Sequence, residues 1–244
     1  MQAEPAEHNK VQRVRRLWLL RHGATDWNLA GQLCGQHDVP LAAEGRAQAR
    51  WAARRLQYER ISRVYTSDLA RATQTAAIVM RSHPEPGSLH VDAAWREASF
   101  GEWEGLTFAQ IAERYGPQPG FFTDPLHYTP PAGEPFSQLV QRVQTAFADL
   151  MQTAASDPEA AGDILLVSHA GALRVLLCTI LGLPFERQWQ LRLNHGSLSI
   201  IDFVPDGSLE SATLVTLNMQ PPARRSQAAR TAWQALKEGS SPHV

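Results

Sequence analysis

The chain has 244 residues, of which 43% are hydrophobic and 19% charged, a composition ordinary for a globular protein with one sizeable α/β domain or two small ones. Lysine and arginine number 23 against 24 aspartates and glutamates, so the formal net charge of -1 argues against a nucleic-acid-binding protein. The two cysteines, Cys34 and Cys178, are too few for a disulfide scaffold or a cysteine-rich metal site. No apolar run reaches the ~18 residues of a membrane span, and the polar residues 1–16 do not resemble a secretory signal, so we expect a cytoplasmic protein.

Strand and helix patterns alternate along most of the chain. Residues 1–13 are predicted to be a disordered tail, 14–220 a folded domain, and 221–244 a C-terminal tail that could form a short helix. In chain order the predicted elements are strand 14–20, helix 42–57, strand 63–67, helix 69–81, strand 89–91, helix 108–115, helix 136–151, strand 164–168, helix 173–181 and strands 198–204 and 212–218. This alternation predicts an α/β fold, a three-layer α/β/α sandwich with a mostly parallel central sheet.

Two of the predicted strands end in a histidine. The apolar run before Arg21 leads into His22, and the run 164–167 leads through Ser168 into His169. Continuous apolar runs are typical of strands that are buried on both faces of a parallel sheet. Because functional groups collect at the carboxyl ends of parallel strands, neighbouring positions for these strands would bring the two histidines into one crevice.

Histidine and arginine in this arrangement suit phosphoryl transfer. A neutral imidazole such as that of His22 can attack phosphorus if its other ring nitrogen is held by an acceptor, often a backbone carbonyl. The transferred group spreads negative charge over three oxygens, so it requires positioned cationic donors, for which Arg21, Arg71 and His169 are candidates. A general acid must protonate the leaving oxygen, and Glu97 or Glu102 could supply that proton.

Each of these residues also has an ordinary structural interpretation when it is considered alone. His22 would then be a satisfied polar residue, Arg71 a solvated helix residue paired with Asp68, and Glu97 a surface charge. The side chains of Ser67 and Asp68 are predicted to cap the helix 69–81. Further expectations concern polar residues outside the main pattern: a surface position for His37, a structural or rim position for His195, and an exposed Cys34.

Ordered short motifs extend from residue 17 to 218. They are Leu20-Arg21-His22-Gly23 with Thr25 and Asn28, Asp38-Val39-Pro40-Leu41 with Glu44-Gly45, Ser67-Asp68-Leu69 with Arg71, Arg96-Glu97 with Phe100-Gly101 and Trp103-Glu104-Gly105, Val167-Ser168-His169 with Gly171 and Arg174, and Asn194 with Ser197. Each motif is weak alone, but the ordered set resembles the histidine phosphatase superfamily, which includes the cofactor-dependent phosphoglycerate mutases. The resemblance implies a phosphoglycerate mutase-like fold that needs neither a metal nor an organic cofactor for phosphatase chemistry.

The same resemblance implies a role for each matching residue. His22 corresponds to the phosphorylated nucleophile, and Glu97 to the proton donor that later serves as the base for water. Arg21, Arg71 and His169 correspond to the rest of the phosphate pocket. Contacts to phosphate or substrate are further expected from Asn28, Gly35 and the backbone of Ala170.

Three functions remain open at this level. A phosphatase acting on a small phosphate monoester is favoured, because residues 105–134 contain one basic residue, Arg114, whereas the mutase pattern usually carries more there. Gln32, where relatives often have arginine, also weakens contact with a second anionic group. A non-catalytic binding module would be expected to lack at least one of the five residues implied in catalysis. All five are present: Arg21, His22, Arg71, Glu97 and His169.

The substrate is less defined by the sequence. The segment before helix 136–151 is similar to that of α-ribazole phosphatases and equally to that of sugar-phosphate phosphatases. Four aromatic residues could form an apolar wall for a bulky leaving group or could pack as core: Trp103, Phe121, Phe122 and Tyr128. Because dimers are the commonest assemblies, a homodimer is the default expectation.

Overall fold

A six-stranded sheet with helices on both faces forms the described part of the protein. The computed structural model describes residues 14–116, 120–156, 162–204 and 211–221. The strands are β1 (Arg15–Arg21), β2 (Ile61–Thr66), β3 (Ser88–Val91), β4 (Asp163–Ser168), β5 (Leu198–Phe203) and β6 (Thr213–Met219). The helices are α1 (Asp26–Leu29), α2 (Ala43–Leu56), α3 (Ala70–Ser82), α4 (Phe108–Tyr115), α5 (Phe136–Ser156) and α6 (Ala170–Leu181). The predicted N-terminal tail 1–13, and the predicted C-terminal tail 221–244 except for its first residue, lie outside the described residues.

The sheet confirms the predicted fold class. Its strand order is β3-β2-β4-β1-β5-β6, parallel from β3 to β1 and antiparallel for β5 and β6. β1 and β4 are direct parallel neighbours, with Arg21 opposite Ser168. Because the next residue on each strand is a histidine, the register alone places His22 beside His169.

The central strands are apolar throughout because both of their faces are covered. On β1, Leu17 and Leu19 pack with α5 and α6, whereas Trp18 and Leu20 pack with α2 and α3. All four of these side chains are essentially inaccessible to solvent. At about 1.5–3 kcal/mol for each fully buried side chain of this size, this sandwich holds the ends of the strands rigidly in place.

Helix boundaries differ from the sequence predictions where a polar residue takes a different partner. α6 begins at Ala170, earlier than predicted, because His169 itself occupies the extended N-cap position. The prediction that Ser67 and Asp68 cap α3 is wrong: Leu69 is the N-cap residue and makes no side-chain hydrogen bond. The amide of Ala70 instead donates to Oδ1 of Asp38, at 2.6 Å.

Further differences lie outside the predicted helices. The short helix α1 was not predicted, and it is stabilised by a reciprocal capping box between Thr25 and Asn28. α5 continues to Ser156, beyond its predicted end at residue 151. Within the described residues, no helix combines the length and the apolar character needed to cross a bilayer.

Candidate active site

His22 lies directly after β1 with 3% of its surface exposed. Its Nδ1 donates to the carbonyl oxygen of Gly23 at 2.7 Å. Because a carbonyl can only accept, the ring hydrogen is on Nδ1, and Nε2 keeps its lone pair. Burial, followed by the nearby His169, holds the pKa of His22 well below its usual value of 6.5. The ring is therefore a neutral imidazole with a bare Nε2, the form that a nucleophile requires.

The backbone that follows His22 packs closely against the backbone at the start of α2. A Cβ on Gly23 would lie 2.3 Å from the carbonyl oxygen of Gly45, and a Cβ on Gly45 would lie 2.1 Å from that of Ala24. Only glycine fits at these two positions without a shift of the backbone. The amide of Gly23 also donates to Oγ1 of Thr75 at 3.2 Å. The start of α2 thus supports the segment that carries the His22 acceptor.

His169 lies beside His22, with 4.9 Å between the ring centroids. It is fully buried, and its Nε2 lies 2.6 Å from Oγ of Ser67. Its Nδ1 is buried without a hydrogen-bond partner among the described residues. Burial, together with Arg71, lowers the pKa of His169 well below 6.5. When Ser67 donates to Nε2, the ring hydrogen lies on Nδ1 and is available to an oxyanion.

Arg71 extends from α3 into the same space and is fully buried. Its Nη1 donates to the carbonyl oxygen of His37 at 2.8 Å, and its Nη2 donates to that of Gly35. Burial lowers the pKa of Arg71 below its usual value, against the opposite influence of Cys34 and of nearby carboxylates such as that of Glu97. The alternative of a solvated arginine paired with Asp68 is wrong, since Asp68 forms a salt bridge with Arg96.

Arg21, the last residue of β1, is held by the segment before β5. Its Nη1 donates to the carbonyl oxygen of Leu193 at 2.7 Å, and its Nη2 lies 2.6 Å from Nε2 of His195. Desolvation, followed by repulsion from Arg174, lowers the pKa of Arg21 to about 10. His195 is thus in contact with the site, and its ring lies 5.5 Å from that of His22. We expected only a structural or rim position for His195, because no local motif connects residue 195 with β1.

Glu97 enters from a loop and is 9% exposed. Its Oε1 accepts from the amides of Ala98 and Gly171, at 3.0 and 2.9 Å, and its Oε2 lies 3.1 Å from the latter amide. A Cβ on Gly171, the second residue of α6, would lie 2.3 Å from Oε1, so a larger residue there would displace this carboxylate. Arg142 and Gln36 donate to the carbonyl oxygen of Glu97. Its own loop and three other segments of the chain, α5, α6 and the loop of Gln36, therefore fix its position.

The structure shows local contacts for the other predicted contact residues, and their contact with a phosphate stays a prediction. Asn28 caps α1 and donates from Nδ2 to Sγ of Cys34 at 3.3 Å. Cys34 is 7% exposed, so the expectation of an exposed thiol is wrong. Gly35 contributes the carbonyl that orients Arg71. Ala170 is the first residue of α6, so its amide lies at the positive end of that helix.

We use the name histidine pocket for Arg21, His22, Arg71, Glu97 and His169. Arg174 adds a third guanidinium close by, since it shifts the pKa of Arg21 and is itself influenced by Glu97. This arrangement gives a strongly positive, largely buried site with one bare imidazole nitrogen, as phosphoryl transfer requires. Among the residues that the structure describes, no cluster of three or more His, Cys, Asp or Glu could hold a metal ion.

An aromatic cluster continues from the histidine pocket. The guanidinium of Arg174 lies over the ring of Trp189, 5.0 Å from its centroid, and Trp189 contacts Phe121 and Phe122. Trp103 stacks on Phe122 and on Tyr128. Trp103 and Phe121 are buried and act as core, whereas Phe122, Tyr128 and Trp189 are half-buried. Trp103 and Phe121 therefore pack as core, and a wall for the leaving group stays a prediction for Phe122 and Tyr128.

Several known proteins are similar to this chain over most of its length. An adenosylcobalamin/alpha-ribazole phosphatase from Salmonella typhimurium is 35% identical over 207 residues, covering 83% of this chain and 96% of the relative. A probable phosphoglycerate mutase from Klebsiella pneumoniae is 34% identical over 203 residues, covering 82% and 90%. The structure of a mycobacterial glucosyl-3-phosphoglycerate phosphatase superposes with a TM-score of 0.74 at 30% identity, covering 85% of this chain and all of that one.

The family model of the histidine phosphatase superfamily, branch 1, matches residues 17–216, which include every residue of the histidine pocket. The predicted resemblance is therefore confirmed. This chain belongs to the histidine phosphatase superfamily.

Proposed function

We propose that the protein hydrolyses small phosphate monoesters through a phosphohistidine intermediate on His22. The observation that carries this proposal is the hydrogen bond from Nδ1 of His22 to the carbonyl oxygen of Gly23. It leaves Nε2 bare between two arginines, Arg21 and Arg71, that have no carboxylate partner among the described residues. A phosphoryl group supplies the charge that these cations lack.

In the first half-reaction, Nε2 of His22 attacks phosphorus. The new N–P bond forms as the ester P–O bond breaks, and Glu97 gives a proton to the leaving oxygen. Arg21, Arg71 and His169 donate hydrogen bonds to the phosphoryl oxygens, whose negative charge increases toward the transition state. Asn28, Gly35 and Ala170 complete the wall of the pocket.

In the second half-reaction, a water molecule attacks the phosphohistidine. Glu97, now ionised, takes a proton from that water, so that the N–P bond breaks and inorganic phosphate leaves. His22 returns to its neutral form with Nε2 bare. The cycle uses only side chains of this chain, so we propose that it needs neither a metal nor an organic cofactor.

The alternative of a phosphoglycerate mutase has support from the relative of that name in Klebsiella pneumoniae. A mutase must bind a bisphosphorylated intermediate and a carboxylate, which calls for additional cations near the mouth of the site. Arg114 is the only basic residue in 105–134, and Nε2 of Gln32 donates to the carbonyl oxygen of Gly105. These features favour hydrolysis over transfer back to a sugar acid.

The aromatic cluster supports a substrate with a bulky organic leaving group. Phe122, Tyr128 and Trp189 are half-buried, and the ring of Trp189 lies under the guanidinium of Arg174, which is close enough to Arg21 to lower the pKa of Arg21. The Salmonella relative is named an adenosylcobalamin/alpha-ribazole phosphatase and the mycobacterial structure a glucosyl-3-phosphoglycerate phosphatase, and both names contain a large organic group. The cytoplasmic location and the homodimer remain predictions.

Hydrolysis of p-nitrophenyl phosphate in excess chelator, by the wild type and by His22→Ala, tests this proposal. We expect chelator-resistant turnover that the variant lacks. A panel of natural monophosphates, run with a phosphoglycerate interconversion assay, then ranks the substrates. Interconversion without hydrolysis would identify a mutase instead, and equal activity on phosphoglycerate and on aryl or nucleoside-like monophosphates would refute the bulky leaving group.

A further inference from the structure

We propose that His195 is a positioning residue that fixes the guanidinium of Arg21 for the phosphoryl group, by accepting a hydrogen bond on Nε2. This inference rests on the proposed function, because it concerns the oxyanion that Arg21 would bind. Neither the sequence motifs nor the names of the relatives assign a role to this position.

The loop that carries His195 is attached to the end of β1 by its backbone. The amide of Gly196 lies 3.1 Å from the carbonyl oxygen of Arg21 and 3.0 Å from that of His22, and the amide of Arg21 donates to the carbonyl oxygen of Ser197. Gly196 has a φ of +67°, and a Cβ there would lie 2.5 Å from Cβ of Gln48. His195 therefore has a fixed place relative to β1.

Two hydrogen bonds define the plane of the Arg21 guanidinium. Nη1 donates to the carbonyl oxygen of Leu193 and Nη2 to Nε2 of His195. One bond would leave the planar group free to turn about that contact, whereas two bonds on different nitrogens fix it. Nε has no hydrogen-bond partner among the described residues, so the N–H groups not used by the loop remain available to an anion.

The bond to His195 requires a neutral imidazole, because Arg21 can only donate and Nε2 can accept only when it carries no hydrogen. The charged and titratable groups that face His195 are Arg21 on β1, His22 after β1 and Arg71 on α3. Burial, followed by the two arginines, holds the pKa of His195 well below 6.5. All of these influences keep the ring in the accepting form.

A set of three variants separates an acceptor role from a packing role. His195→Leu keeps an apolar side chain of moderate size but removes the acceptor, whereas His195→Gln retains an acceptor near the position of Nε2. We expect His195→Leu to weaken vanadate binding and to lower kcat/KM by about 10–100-fold, the range found when the orienting partner of a functional side chain is removed. We expect His195→Gln to stay within about threefold of the wild type. His83→Leu, which alters a histidine bonded to the carbonyl of Glu59 at the far end of α3, serves as the matched control and leaves both quantities unchanged.

A double-mutant cycle tests whether His195 acts through Arg21. If it does, His195→Leu has no further effect on vanadate affinity in the Arg21→Ala background. Additive losses would overturn the inference, and so would equal losses in His195→Leu and His195→Gln or wild-type behaviour of His195→Leu. Thermal unfolding of each variant checks the fold, and the Gln variant decides the matter if the Leu variant does not fold.

Vanadate binding also separates this inference from the proposed function. A wild type that binds vanadate but does not hydrolyse monoesters would refute the phosphatase while the cycle still measures the His195–Arg21 coupling. A wild type that binds no vanadate would overturn both.

Discussion

The ends of β1 and β4 present the same residue in the same setting, yet their hydrogen bonds prepare the two histidines for different tasks. Nδ1 of His22 meets a carbonyl oxygen, which can only accept, so its tautomer is fixed and Nε2 is bare. Nε2 of His169 meets the hydroxyl of Ser67, which can donate to a neutral ring or accept from a protonated one. The first ring suits a nucleophile, and the second suits a donor that adapts to the charge of the bound group.

The largest expected effect comes from removing the ring with the fixed tautomer. His22→Ala should lower kcat at least about 10⁴-fold, because no covalent intermediate can form. His169→Ala should keep a measurable rate, since it removes one of several donors, worth about 10²–10³-fold. Steady-state turnover of p-nitrophenyl phosphate measures both. Equal losses would contradict the division of roles between the two strand ends.

Glu97→Gln should separate substrates by their leaving groups. An amide cannot give up a proton as a carboxylic acid does, so alkyl phosphates with poor leaving groups should lose about 10²–10⁴-fold in kcat/KM. Esters of p-nitrophenol, whose leaving group needs little protonation, should lose much less in the first half-reaction. Glu102→Gln, which changes the other acidic candidate, is the matched control, since Glu102 accepts from the hydroxyl of Tyr115 at an exposed position. If good and poor leaving groups suffer alike, Glu97 is not the acid.

Arg71→Ala should remove about 3–4 kcal/mol of transition-state stabilisation, the usual loss for one preorganised donor, and this loss appears as a lower kcat/KM. Arg81→Ala removes an arginine from the exposed end of the same helix and should leave the rate unchanged. The comparison is made with one substrate under first-order conditions. An Arg71 variant that retains the wild-type rate would remove Arg71 from the phosphate pocket.

These strand ends and α3 are also the parts of the site that the sequence predicted best. Apolar runs that end in Arg21-His22 and Ser168-His169 indicated buried parallel neighbours, and the observed register places them side by side. Among the described residues, periodicity likewise located the five helices of eight or more residues. Four of them, α2, α3, α5 and α6, bury an apolar face in the sandwich, whereas α4 buries Ile111 in the aromatic cluster. The short helix α1 was missed because it is defined by a local capping box rather than by periodicity.

Loop contributions could not be predicted in the same way. His195 and Arg21 are 174 positions apart in the chain, and Ser67 and His169 are 102 positions apart. Neither contact can therefore be predicted from the spacing of nearby residues. Ser67 was assigned to the start of a helix because serine there commonly caps, and tertiary structure gave it a different partner. Arg142, which holds the carbonyl of Glu97, resembled an ordinary polar position on an amphipathic helix.

His22 and His169, like His195, should also make stability depend on pH, because burial lowers the pKa of each ring. Their pKa values lie below 6.5 in the folded state, so the unfolded chain binds more protons below that pH, and the free energy of unfolding falls as the solution is acidified from about 7 to 5. Each histidine contributes up to about 1.4 kcal/mol per pH unit in that window. The free energy of unfolding is measured by urea unfolding between pH 5 and 7. It should change less with pH in His169→Gln than in the wild type. The exposed His90→Gln is the control, and equal slopes in all three proteins would contradict the assignment.

The smallest expected effect tests the adaptable partner of His169. Ser67→Ala leaves Nε2 of a fully buried ring without its hydrogen bond, at a cost of about 1–3 kcal/mol, and should lower kcat/KM about tenfold. Ser82→Ala, at the exposed end of α3, should have no effect. If Ser67→Ala retains full activity, the hydroxyl does not orient His169.

Locating the covalent phosphate tests the division between the two rings most directly. The wild type, His22→Ala and His169→Ala are mixed with a labelled monoester, quenched in alkali, which preserves phosphohistidine, and mapped by peptide mass spectrometry. We expect an acid-labile phosphate on the peptide that contains His22, present in the wild type and in His169→Ala and absent from His22→Ala. A phosphate on His169, or one that persists in His22→Ala, would contradict the assignment of His22 as the nucleophile.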